Sequence, residues 1–358
     1  MSACDACLRR GRLLGLLAPR IAGLLDRPGS RSAGILALSD AELIDAVAGE
    51  AVEEVHDRMA EFHAESERAE LVEHGIGVVC RHRPGFPSQL GDLHDPPTAL
   101  FAMGELPELD RAVAIVGSRS ASPYGLEVAY ELGRGLGAAG VTVVSGLALG
   151  IDAAAHRGCL DGGGRGIAVL AGGPDVIYPR QNGRLYERIA AKGGVISELP
   201  PGTRPYRWSF PARNRIMAGL SELTVLVEAA DPSGSLITAE FARDIGRAVG
   251  AVPGRVTSRF AAGTNGLLRD GAIPITGAQD VLDELFGAGA LELASALLPS
   301  DPALQAVLEG IESGRNLGEL AAAAGLSVRE ARAALARLEA DGLVKRSGLG
   351  SYERAAGR

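Results

Sequence analysis

Apolar and polar positions along this chain follow two regimes. Through residues 1–75 the apolar residues recur at helical spacing, near positions 13–17, 21–25, 35–38 and 43–47, with little β-branched alternation. Ser39 and Asp40, followed by Glu42 and Leu43, read as a helix start. The segment is therefore expected to be a small helical domain, of a SAM or helix-hairpin-helix kind. A different pattern follows. Residues 112–116, Ala-Val-Ala-Ile-Val, run into Gly117-Ser118-Arg119, and residues 126–136 then return to helical spacing. A continuous apolar run of this length is a strand buried on both faces. Strand, glycine turn and helix in that order open a parallel α/β sheet.

The same alternation recurs. Strands are expected at 113–116, 141–145, 167–170, 194–197, 223–227 and 248–252, and at 273–275, with helical patterns between most of them. This predicts an α/β fold with a Rossmann-like, doubly wound, mostly parallel sheet spanning residues 76–287. A short strand at 76–80 precedes a proline-studded connector at 84–97. Residues 288–302 turn to Ala, Leu, Gly and Pro and read as a linker. Residues 303–358 then read helix, turn, helix and strand, a winged-helix pattern.

Composition narrows the function classes. The 358 residues carry a formal net charge of −8, which argues against a generally basic coat, so any nucleic-acid contact has to come from a local patch. No apolar run reaches membrane-span length, and Arg9, Arg10 and Arg12 interrupt any signal-peptide core. Four cysteines in a chain of this length do not make a disulfide scaffold, and a reducing cytoplasm is expected. Cys4-Asp5-Ala6-Cys7 is half of a zinc pattern. The remaining Cys80 and Cys159 look scattered, so two free thiols and no metal site are the plainer reading.

The candidate chemistry gathers in the loops that follow the strands. Gly117-Ser118-Arg119 presents backbone N–H groups and a guanidinium suited to phosphate. It is not the dinucleotide fingerprint, because Arg119 stands where a second glycine would admit a pyrophosphate. Gly146 and Gly150 loosen the next turn. Asp152 and His156, four apart on one helix face, could be a base with its orienter, but a structural role is favoured. The loop at 170–179 reaches the same rim. Residues 204–215 hold Arg204, Arg207, Arg213 and Arg215 with no acid, and interleave them with Tyr206, Trp208 and Phe210. Arginine grips phosphate and aromatic faces stack on bases, a combination suited to single strands. For Trp208 and Phe210 taken singly, packing beneath the loop is the favoured reading; for the arginines, phosphate contact is favoured. Ser233-Gly234-Ser235 offers hydroxyls and N–H groups at a helix start, and Asn265 lies in a last glycine-rich edge. No nucleophile, metal cluster or P-loop stands at diagnostic spacing, so a non-enzyme is expected.

Many of these strings, in order, resemble one family. They are Gly117-Ser118-Arg119, Ser145-Gly146-Leu147-Ala148 with Gly150-Ile151-Asp152 and His156, Tyr178-Pro179, Ser197-Glu198, and Phe210-Pro211 with Arg213-Asn214-Arg215. Ser233 through Ala239, Val252-Pro253-Gly254 and Gly271-Ala272 complete the set. Residues 84–286 are in this way similar to DNA processing protein A, also called DprA or Smf. The resemblance implies a single-stranded-DNA binder that protects incoming strands and loads the RecA recombinase in natural transformation. It also implies a homodimer formed through this domain, with no cofactor and no membrane. The DNA-contacting candidates are Gly117, Ser118, Arg119, Gly146, Arg207, Phe210, Arg213, Asn214, Arg215, Ser233, Gly234, Ser235, Thr238 and Asn265. The loop at 171–175 is looser than the family's usual form, and the resemblance gives Cys4 and Cys7 no role.

Two other functions compete. A nucleotide-processing enzyme on a related fold could use Asp152, Glu198, Glu228 or Glu240. The Pro-Gly-Gly-x-Gly-Thr loop of such enzymes is not reproduced by Pro253-Gly254 and Gly263-Thr264. A duplex-binding regulator could act through residues 303–358, whose balanced charge weighs against it.

Overall fold

A computed structural model describes residues 3–25, 34–105, 109, 111–289, 301–340, 343–346 and 352–354. The chain forms two compact units, Met1–Leu285 and Phe286–Arg358. In the first, helices α1 (Asp5–Leu25), α2 (Asp40–Val47), α3 (Val52–Ala60) and α4 (Ala64–Glu73) precede the sheet. The sheet strands are β1 (Gly77–Cys80), β2 (Ala99–Gly104), β3 (Ala112–Val116), β4 (Thr142–Ser145), β5 (Gly166–Val169), β6 (Gly194–Ser197), β7 (Leu223–Leu226), β8 (Ala248–Ala251) and β9 (Ile273–Pro274). From β3 onward, helices alternate with them: α5 (Pro123–Ala138), α6 (Ile151–Asp161), α7 (Gly183–Lys192), α8 (Ser209–Leu220), α9 (Leu236–Asp244), α10 (Ala262–Arg269) and α11 (Ala278–Phe286).

The sheet order is β1-β2-β6-β5-β4-β3-β7-β8-β9. From β6 to β9 every pairing is parallel; β2 pairs antiparallel with both β1 and β6. The winding reverses at β3, which carries β4 on one side and β7 on the other. Open α/β sheets bind ligands outside the strand ends at such a switch point. All five residues of β3 are buried, as its unbroken apolar run requires.

The doubly wound sheet agrees with the sequence pattern, with two differences. Strand β2 follows the proline-studded connector directly, where no strand was expected. Its residues Ala99–Ala102 are buried between β1 and β6, so the fold supplies the pairing that the local pattern lacks. The helical N-terminus is also not a compact unit of its own. Leu13, Leu17, Ile21, Leu43, Val55 and Met59 share one apolar core with Leu199 and Trp208 from the sheet-bearing segment. The helix start at Ser39 is present as a capping box with Glu42.

Helices α5 and α6 pack backbone against backbone. A Cβ at Gly133 or Gly137 would strike the carbonyls of Ala155 or Cys159, and one at Gly158 or Gly162 those of Tyr130 or Arg134. This close contact seats the α6 N-terminus, and with it Asp152, beneath the loop after β4.

The second unit holds α12 (Pro302–Glu312), α13 (Leu317–Ala323), α14 (Val328–Ala340) and an antiparallel pair, β10 (Val344–Arg346) with β11 (Tyr352–Arg354). Helix α12 adds to the helix, turn, helix and strand read from the sequence. Leu304, Val307, Leu308, Leu335 and Leu338 form the core of this unit. Most of the expected linker, residues 290–300, lies outside the described residues. Among the described residues no helix is long and apolar enough to cross a membrane.

Candidate nucleic-acid interface

Three segments meet where the parallel strands end. The turn after β3 brings Gly117, Ser118 and Arg119; α8 brings Phe210, Pro211, Arg213, Asn214 and Met217; the loop after β7 brings Ala230, Ser233, Gly234, Ser235 and Thr238. Together with Ala148 and Asp152 they enclose a cavity of about 380 Å³. Backbone bonds hold the turn in place. Ser118 N–H donates to the Glu228 carbonyl (2.7 Å), and Ile151 N–H to the Ser118 carbonyl (3.2 Å). Gly150, at φ +78°, lies so close that a Cβ there would strike the carbonyls of Ser118 and Arg119.

Arg119 is exposed and has no ion-pair partner among the described residues. Its guanidinium carbon lies 4.6 Å from the centroid of the half-buried Phe210 ring. A cation held on an aromatic face keeps its edge donors free for phosphate. Tyr178, 48% exposed, borders the same ring at 5.7 Å with a tilt of 56°. Two aromatic faces and a guanidinium thus stand together at the rim.

Arg213 is buried beneath this layer. Its Nη1 donates to the carbonyls of Gly146 and Val169, and its Nη2 lies 3.8 Å from Asp152 Oδ2. A Cβ at Gly146 would collide with the Arg213 guanidinium, so a side chain there would displace Arg213 from this seat. Burial pulls the Arg213 pKa down to about 10, against the pull of Asp152, so the group remains a cation at neutral pH. The Asp152 carboxyl is raised by its own burial, offset by Arg213 and by N–H groups of Ala148 and Gly146. His156 is fully buried, with its pKa driven down to about 3 by desolvation; the Ser145 backbone is its polar neighbour. The structural role favoured for Asp152 fits this geometry, whereas the local hydrogen bond expected of His156 is not made: both ring nitrogens are buried without a partner among the described residues. Farther round, Asn214 donates to the Gly234 carbonyl (3.2 Å), and the Ser233 and Ser235 hydroxyls bond each other (2.8 Å). Thr238 Oγ1 is buried without a partner.

Besides Arg213, which is buried rather than exposed to a ligand, four candidates stand differently from expectation. Arg215 is no free cation: it is 2% exposed, makes a bidentate pair with Glu198 (2.8 and 2.9 Å) and bonds Asp95 Oδ1 (3.0 Å). Asn265 does not line the cavity; its amide clamps both backbone groups of Gly254. Arg207 is exposed but lies outside the lining, and Gly146 acts through Arg213. Of the aromatics, Trp208 packs inward and donates Nε1–H to the Ala18 carbonyl, whereas Phe210 faces the rim. Tyr178 and Met217 were missed. The loop carrying Tyr178 was readable as part of this rim, but its ring position was not.

The carboxylates considered for catalysis are mostly engaged elsewhere. Glu228 accepts from Ser122 N–H and Oγ (2.8 and 2.6 Å), Glu198 is held by Arg215, and Asp152 faces Arg213. One group outside the cavity can ligate a metal: Cys4, Cys7, Cys80 and His82 converge.

Comparison with known proteins places this geometry. Residues 77–286 match the profile of a family described as DNA recombination-mediator protein A. The chain is 41% identical over 215 residues to DNA processing protein DprA of Bacillus subtilis, covering 60% of this chain and 72% of that one. It is 42% identical over 259 residues to a putative DprA of Mycobacterium tuberculosis, covering 70% and 67%. Among solved structures, DprA of Streptococcus pneumoniae superposes with a TM-score of 0.63 at 32% identity, covering 79% of this chain and 99% of that one. A DNA processing protein A of Helicobacter pylori, described for its single-stranded DNA binding mode, superposes with a TM-score of 0.54 at 31% identity, covering 59% and 95%. With more than half of its length matched, the chain belongs to the DNA recombination-mediator protein A family.

Proposed function

We propose that this protein binds single-stranded DNA at the cavity mouth, holds the strand without altering it, and passes it to the RecA recombinase. The observation that carries this reading is Arg119, an exposed cation laid on the Phe210 face at the switch point of the sheet. The arginine meets a phosphate, while Phe210 and Tyr178 offer faces to unpaired bases, which a duplex does not expose. Arg213 supplies fixed positive potential from below, and the Ser233–Ser235 turn supplies short polar contacts. The named binding mode of the Helicobacter pylori relative supports the choice of ligand. Engagement of Glu228, Glu198 and Asp152 in structural bonds supports a binder over a nucleotide-processing enzyme. In this reading the protein works as a homodimer in the cytoplasm, and residues 303–358 form a winged helix serving protein contact.

The test is fluorescence anisotropy with a labelled single strand and its duplex at two salt concentrations. Wild type should prefer the single strand. Arg119→Ala should weaken binding and reduce the salt slope by about 0.7, the share of one phosphate contact on a single strand. Phe210→Ala should weaken binding by about 1–3 kcal/mol, with little change in slope. Equal affinity for duplex and single strand, or no effect of either substitution, would remove this assignment.

A further inference from the structure

The cysteines that look scattered along the chain are gathered by the fold. Cys4 and Cys7 lie at the start of α1, and Cys80 ends β1. A turn closed by Arg83 N–H to the Cys80 carbonyl (2.9 Å) follows, and it brings His82 back over the thiols. The three Sγ atoms and a ring nitrogen of His82 all lie within 4.8 Å of one another. Three of the separations are explicit: Cys4 Sγ to Cys80 Sγ is 3.9 Å, and His82 Nδ1 is 3.5 Å from Cys4 Sγ and 3.3 Å from Cys7 Sγ.

These are the edges of a coordination tetrahedron. Zinc with S ligands at about 2.3 Å and an N ligand at about 2.0–2.1 Å has S–S edges of about 3.8 Å and S–N edges of about 3.6 Å. The widest separation allowed by the cluster exceeds such an edge by only about 1 Å, within reach of side-chain rotation. A disulfide accounts for less: it would draw two sulfurs to about 2.05 Å and leave His82 and the third thiol unexplained. Cys7 and Cys80 are buried, Cys4 is half-buried and His82 is exposed, so the site has an inner wall and an open side for entry.

We propose that Cys4, Cys7, Cys80 and His82 form a structural zinc site that fastens the start of α1 to the end of β1. Four protein ligands leave no open coordination position, which distinguishes this from a catalytic centre. On binding, the thiols release their protons to solvent and the imidazole binds through Nδ1. The clip acts on an edge strand, since among the described residues β1 pairs only with β2. It joins two segments separated by more than seventy residues of chain. The site is separate from the strand-binding rim.

The experiment uses the full chain, purified in reducing buffer without chelator and assayed for metal by mass spectrometry. About one zinc per chain is expected. After chelator treatment, cobalt titration should give the visible d–d bands of a tetrahedral ion with thiolate-to-metal charge transfer. Cys159→Ser, remote from the cluster, should leave both readouts unchanged. Cys80→Ser should abolish them. His82→Ala, at an exposed position that does not threaten folding, should weaken cobalt affinity by at least about tenfold and shift the spectrum. A reduced wild-type chain that neither retains zinc nor yields a tetrahedral cobalt spectrum would overturn the proposal. So would a cobalt affinity and spectrum left unchanged in His82→Ala.

Discussion

Replacing Arg215 by alanine separates a structural cation from a DNA-binding one. The side chain is 2% exposed and serves four acceptors: Glu198 through both carboxylate oxygens, the Asp95 carboxylate, the Asp95 carbonyl and the Ala212 carbonyl. Burial pulls its pKa down, but Glu198 and Asp95 together more than compensate and the net shift is upward, so the guanidinium is charged at all accessible pH. Truncation leaves two carboxylates facing each other without a cation. Removing one partner of a buried pair destabilises by about 3–5 kcal/mol. The Glu198 side chain is 11% exposed and that of Asp95 22%, so water reaches them partially and the lower half of that range applies. For a unit of this size, about 3–4 kcal/mol lowers the melting midpoint by roughly 5–7 °C. Differential scanning fluorimetry reads it, with single-strand affinity measured well below the midpoint. Arg215→Ala should melt early yet bind with near wild-type affinity in its folded fraction, while Arg119→Ala should melt normally and bind weakly. Arg215→Lys, which keeps the charge and loses the fork, should fall between wild type and alanine in stability. An Arg215→Ala protein that melts like wild type but loses affinity as Arg119→Ala does would refute the burial argument.

Two further outcomes follow from the packing. Gly133→Ala should destabilise the protein by about 1–3 kcal/mol in urea titration, because the new methyl meets the Ala155 carbonyl across the α5–α6 contact; Gly266→Ala, in α10 where a Cβ meets open space, controls for glycine replacement within a helix. His156 gives a pH signature. Its folded pKa of about 3 lies below its ordinary value, so the unfolded chain binds the extra proton and stability falls as pH drops from about 6.5 toward 3. His156→Gln should flatten that decline by up to about 1.4 kcal/mol per pH unit relative to wild type. Parallel stability-against-pH curves for the two proteins would show that His156 is not buried neutral.

What the sequence determined by itself is the part written in local pattern. An unbroken apolar run marks a strand buried on both faces, and a glycine after it marks the turn; repeated, these give the doubly wound sheet and the rim where its loops meet. Gly117, Arg119 and Ser233–Ser235 were found that way, since strand-end position is readable from order along the chain; Phe210 was singled out only by the arginine–aromatic composition of its segment. The tertiary structure alone decided which arginines face solvent. Arg213 and Arg215 stand two residues apart in a segment without acids, yet both are buried. Arg215 is neutralised by Glu198, 17 residues away, and by Asp95, 120 residues away. The same holds for Trp208, whose indole bonds Ala18 across 190 residues, and for Cys80 and His82, brought to Cys4 and Cys7 by the docking of α1 on the sheet. Periodicity reports on a residue's own helix turn or strand. Burying a charge or assembling four ligands depends on partners that only chain folding brings within a few ångströms.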